Sequence, residues 1–131
     1  MRLKYGGYYE RWIKRIKSID VKNFPNTHER YNDLVNFTGT EDIGSHVVYC
    51  DVFVPYIINQ AENNNEEELI RFFHFIEWLL DSGVDLYEYV AIVTIIEDLV
   101  TSRDFNKSFY EKFCYEKTKR LMDEVIKYYR R

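Results

Sequence analysis

EEELIRFFHFIEWLLDSGVDLYEYVAIVTIIEDLVTS, residues 66 to 102, decides the fold. Apolar side chains recur in it at spacings of three and four, the period of a helix that buries one face, and the alternation of a strand is almost absent. Asp81-Ser82-Gly83-Val84 interrupts the pattern, which predicts two apolar helices, over 66–82 and 85–102, joined as an antiparallel hairpin. Gly83 suits the left-handed position just past a helix end, and Asp85 with Glu88 resembles a capping box for the second helix. The phrase Phe75-Ile76-Glu77-Trp78-Leu79-Leu80 is echoed by Ile95-Ile96-Glu97-Asp98-Leu99-Val100, an offset of 20 (95 − 75). One echo makes the hairpin repeat-like, of the kind that stacks into bundles or short solenoids.

Outward from the hairpin the same period persists. Toward the N-terminus, Tyr9, Trp12, Ile13, Ile16 and Ile19 predict an amphipathic helix near residues 6 to 19, its other side basic. A loop with Pro25 follows, then a short helix capped by Thr27 that runs through Phe37 and is ended by Gly39. Pro55 interrupts the apolar stretch 45–63, so that helix is either kinked or begins late. The preferred start is near Asp51, whose carboxylate would cap it and leave Pro55 close to the tolerated first turn. Glu66, Glu67 and Glu68 sit where acids favourably meet the positive end of the next helix. Past a loop at 102–106, Thr118, Leu121, Met122, Val125 and Tyr129 form the buried stripe of a terminal helix. The expected fold is all-α: a single helical domain over residues 1–131, a bundle or short HEAT-like stack of about five to six helices.

Composition agrees with one self-sufficient domain. The chain has 131 residues, of which 46% are hydrophobic and 18% aromatic, enough for a real core. The first residues lack a secretion signal, and no run approaches ~18 apolar residues, so a cytoplasmic protein is expected. Cys50 and Cys114 form no CxxC pair and read as small hydrophobes. His28, His46 and His74 are scattered, and His74-Phe75-Ile76-Glu77 reverses the Glu-x-x-His order of di-iron bundles, so neither metal nor cofactor is expected.

Charge is strongly segregated. Residues 23 to 102 hold fifteen carboxylates against Arg30 and Arg71, a net of −13; residues 1–22 carry seven cations and two acids (+5), and 103–131 nine and five (+4), which sums to −4. Such a field favours a basic partner and steered association. Glu77 and Glu97 stand among apolar neighbours, where a carboxylate is costly without a partner; a structural pairing, for Glu77 with Arg71, His74 or a loop amide, is expected ahead of acid–base chemistry.

Phe53-Val-Pro-Tyr-Ile57, Glu67-Glu-Leu69, Phe75-Ile-Glu-Trp-Leu79, Ile96-Glu-Asp-Leu99 and Thr118-Lys-Arg-Leu121 resemble phrases in short helical bacterial proteins encoded beside polymorphic toxins. Over roughly residues 50 to 130 the chain is similar to immunity proteins of contact-dependent growth inhibition systems. The resemblance implies a helical fold and an inhibitor that binds and neutralises one toxin domain without turnover. Acidic charge suits a toxin that attacks nucleic acid through a basic cleft. Once residues with cap or dipole duties are set aside, Glu41, Asp42, Asp81, Asp98 and the aromatic Trp78 are the expected partner contacts.

Two other classes set the alternatives. A nucleic-acid binder would use the basic ends, where Tyr5, Tyr8, Tyr9, Tyr128 and Tyr129 are interleaved with Lys and Arg. Net negative charge and the lack of a helix-turn-helix, RRM or KH signature count against it. An enzyme is not expected, because the sequence offers no Gly-rich phosphate loop, no nucleophile beside a His and no metal set. Oligomeric state and the toxin's identity stay open.

Overall fold

The computed structural model describes residues 24–39 and 45–129. The expected helix over 6–19, and Glu41 and Asp42 in the 38–44 loop, lie outside the described residues. Within the described residues every regular element is helical and no strand occurs, as the 3.6-residue period requires. None of their helices is long and apolar enough to cross a membrane. By its internal contacts the chain divides into two compact units, residues 1–53 and 54–131.

In the first unit a 3-10 turn at Pro25–Thr27 leads into α1, His28–Thr38. Thr27 precedes α1 as expected, but its hydroxyl donates backward to the Phe24 carbonyl at 2.6 Å and caps no helical amide. A threonine hydroxyl in a tight turn readily prefers its own upstream carbonyl. Gly39 closes the helix at φ 76°, the left-handed position that costs glycine nothing. Next come α2, Ser45–Val48, and a π-helical stretch, Tyr49–Phe53. Phe53 meets both Phe24 and Tyr49 edge-to-face, at 4.8 and 5.2 Å between ring centroids. The expected late start at Asp51 is therefore wrong: Asp51 sits inside the wide turn rather than at a helix end. Pro55 lacks the amide that would continue an α-helical ladder, and the irregular turn falls just before it.

In the second unit α3, Val54–Glu62, connects to α4, Glu66–Asp81, through Asn63–Asn65. Asn65 caps α4, its side-chain oxygen accepting from the Glu68 amide at 3.4 Å. α4 ends with Gly83 at φ 73°, as its place in the sequence requires. The following helix begins at Asp85, but Val84 is its N-cap and makes no side-chain cap bond. The expected Asp85–Glu88 capping box is absent because Asp85 is already helical, while the Ser82 hydroxyl accepts from the Val84 amide at 3.1 Å.

The second arm of the hairpin runs as α5, Asp85–Tyr89, a π-helical stretch Val90–Ile96, and α6, Glu97–Val100. Six of the seven residues in Val-Ala-Ile-Val-Thr-Ile-Ile are β-branched, and such side chains crowd an α-helical turn. A short helix α7, Lys107–Tyr110, capped by Asn106, and a 3-10 turn Glu111–Phe113 precede the terminal α8, Glu116–Tyr129.

α4 lies at the centre of this helical bundle. Leu69, Phe72, Phe73, Ile76 and Leu79 are fully buried, and α4 packs against α3, α5 and α8. Glu68 is buried with them, only 7% exposed. A carboxylate in that position must be paired. The Tyr56 hydroxyl of α3 donates to it at 2.5 Å and Arg71 at 2.7 Å. Glu68 thus does more than favour the helix dipole; it ties α3 to α4. Replacing Tyr56 with Phe should cost roughly 1–3 kcal/mol, because Glu68 would lose a buried donor. A urea midpoint unchanged by that substitution would contradict this role.

Candidate functional site

α4 also has an outer side. Glu67, Ile70, Arg71, His74, Trp78 and Asp81 are all exposed, and their spacing of three or four places them along one face. Ile70 is 56% and Trp78 48% accessible, large apolar surface on the most buried helix of the unit. The Trp78 ring stacks on Phe75 at 6.2 Å and meets Tyr87 of α5 at 5.8 Å. Held from behind on two sides, it presents its open face in a fixed orientation, the condition under which an aromatic anchors a partner at low entropic cost.

Residues at the start of α8 border this row. The Tyr115 hydroxyl lies 3.2 Å from His74 Nδ1, and Lys117 Nζ lies 2.6 Å from Asp81. That bond to Asp81 raises the Lys117 pKa above its ordinary value. Trp78 and Asp81, both expected as contacts, are therefore brought onto one face, although Asp81 shares its charge with Lys117. Asp98 is on α6 and half-buried, its carbonyl accepting from the Thr101 hydroxyl at 3.4 Å, so it is no part of the α4 row. His74, Ile70 and Tyr115 extend the row beyond the expected residues. Their signal was available in the α4 period; Tyr115 is brought in only by the packing of α8.

Glu77 and Glu97 have structural partners. The Thr118 hydroxyl, buried in α8, donates to Glu77 at 3.1 Å, and the Tyr129 hydroxyl donates to Glu97. Thr118 and Tyr129 are eleven positions apart, about 16 Å along the helix, so the two carboxylates fasten both ends of α8. Neither Arg71 nor His74 serves Glu77 as anticipated, since Arg71 is taken by Glu68. Lys107 pairs with Asp123 at 2.8 Å and draws α7 toward α8.

A family model for a domain of unknown function, DUF7674, matches residues 21–130. The chain belongs to the DUF7674 family. No curated protein and no solved structure matches it. The DUF7674 region takes in the whole α4 row and reaches back to residue 21.

Titration of the shifted groups has a definite sign. Burial pushes the Cys114 thiol up to about 12, and burial with the nearby Glu62 charge raises Tyr110. Hydrogen bonds to Asp123, Asp81 and Glu97 raise Lys107, Lys117 and Tyr129 respectively. In each case the folded state holds its proton more tightly than the unfolded chain. The associated stability is complete below the unfolded Cys value of about 8.5 and is lost as pH rises toward the folded values. The urea midpoint should fall steadily from pH 8.5 to 10.5, and less steeply in Cys114→Ser. A midpoint flat across that range would refute these assignments.

Proposed function

We propose that the chain is an immunity protein, a binder without turnover that neutralises a cognate bacterial toxin domain in the cytoplasm by occupying a basic nuclease cleft. The observation that carries the reading is the α4 row, in which a half-exposed Trp78, braced by Phe75 and Tyr87, lies between His74 and Asp81 with Ile70 two turns away. An exposed, braced aromatic on an open helix face matches the surface of a partner protein better than it matches a small molecule. The fifteen carboxylates of residues 23–102 supply the long-range field for such a partner. The resemblance of residues 50 to 130 to immunity proteins of contact-dependent growth inhibition systems supports the same reading and suggests that the toxin is encoded alongside.

Nucleic acid as the ligand is the weaker reading. Lys107 and Lys117, two of the cations near the C-terminus, are already held by Asp123 and Asp81, and a cation paired within the fold contributes less to phosphate neutralisation.

The test is co-expression with the toxin domain encoded beside this chain, followed by purification of the complex and titration. The wild-type chain should restore growth and form a stoichiometric complex. Trp78→Ala should weaken binding by at least about 2 kcal/mol, roughly 30-fold, with folding intact. Failure to relieve toxicity would remove the immunity reading, and full affinity in Trp78→Ala would remove the α4 row as its interface.

A further inference from the structure

A second feature of the unit formed by residues 54–131 lies away from the row just described. The end of α3 and the segment leading into α7 enclose an open groove of about 420 Å³, toward the lower end of the ~300–1,000 Å³ of small-ligand sites. Ile58, Phe109 and Tyr110 give it an apolar lining, and Glu62, Arg103 and Asp104 stand among its polar residues. Tyr110 is 5% exposed, so this part of the lining is fixed by the core.

Glu62 is in an unfavourable place. It is the last residue of α3, where the helix dipole is negative and a carboxylate is repelled. Its charge also reaches Tyr110, whose hydroxyl it helps to keep protonated. Among the described residues no ion pair engages either Glu62 or Asp104. Among the lining residues two carboxylates stand against one cation, Arg103. Beside them the Phe109 ring takes a cation, Lys112 Nζ at 5.7 Å from its centroid, so this aromatic surface is one that a cation can approach.

We propose that this groove receives the cationic side chain of a partner polypeptide, arginine being the best match. The methylene stem of an arginine packs on apolar lining while its head stays polar. Its planar guanidinium can bond a carboxylate in bidentate fashion and stack on an aromatic ring, which a lysine ammonium cannot do as well. The inference rests on the immunity reading only for the source of the arginine, a basic protein; the groove's chemistry stands apart from it.

The probe is N-acetylarginine methylamide, titrated into the isotope-labelled full chain and followed by NMR, with the uncharged citrulline and the lysine counterparts as comparisons. Saturable shifts centred on Glu62, Phe109 and Tyr110 are expected, with a Kd on the order of millimolar. Citrulline should bind at least tenfold more weakly and lysine in between. Glu62→Gln should abolish saturation, and Asp104→Asn, a second variant at an exposed position, should weaken it. Equal binding of arginine and citrulline, shifts centred elsewhere, or no saturable shift would overturn the proposal. A chain that binds the probe but relieves no toxin would lose the immunity reading and keep the groove; one that relieves toxicity but ignores the probe would lose only the groove.

Discussion

The structure of residues 54–131 depends on the burial of α4, and on what that burial requires of its carboxylates. Leu69, Phe72, Phe73, Ile76 and Leu79 exclude water from a helix that also carries Glu68 and Glu77. Apolar burial is non-directional and would tolerate many placements of the surrounding helices. Carboxylates deprived of water are not so tolerant, since each needs a donor at hydrogen-bond distance. Tyr56 must come from α3 for Glu68, and Thr118 from α8 for Glu77. The polar requirement thus selects one arrangement among those the core would accept, and Glu97 adds a second fixed point on α8 through Tyr129.

The same economy shapes the electrostatics. An acidic middle and a basic end look in sequence like two separate surfaces. In the fold the α8 segment returns to the acids, so that Lys117 meets Asp81 while Thr118 and Tyr129 meet Glu77 and Glu97. Part of the field is consumed in holding the bundle together. Among the groups that stay open are Trp78 and Ile70 on the outer side of α4, and Glu62 and Asp104 beside the groove.

Much of this could be read from residues alone, and the misses have a common cause. The 3.6-residue period placed α4 and the hairpin, Gly83 and Gly39 marked their turns, and the shared exposed face of Trp78 and Asp81 was legible because both lie on the less apolar side of one predicted helix. The misjudged features all depended on which of several partners a polar group takes. Thr27 bonds back to Phe24, Ser82 serves the Val84 amide in place of a capping box, and Glu68 turns inward to Tyr56. Periodicity says which side of a helix faces the core; it does not say which donor from a distant helix will arrive there. The π-helical stretches at Tyr49–Phe53 and Val90–Ile96 escaped for a related reason, because a β-branched run or a nearby proline signals strain in an α-helical ladder without saying how it is relieved.

The central claim is that the exposed Trp78 face of α4 is where this chain meets its partner. The most direct measurement is acrylamide quenching of Trp78 fluorescence in a Trp12→Phe background, before and after saturation with the purified toxin domain. The account predicts ready quenching in the free chain, as a half-exposed indole requires, and strong protection with a blue-shifted emission in the complex. Equal quenching of free and bound protein would contradict it.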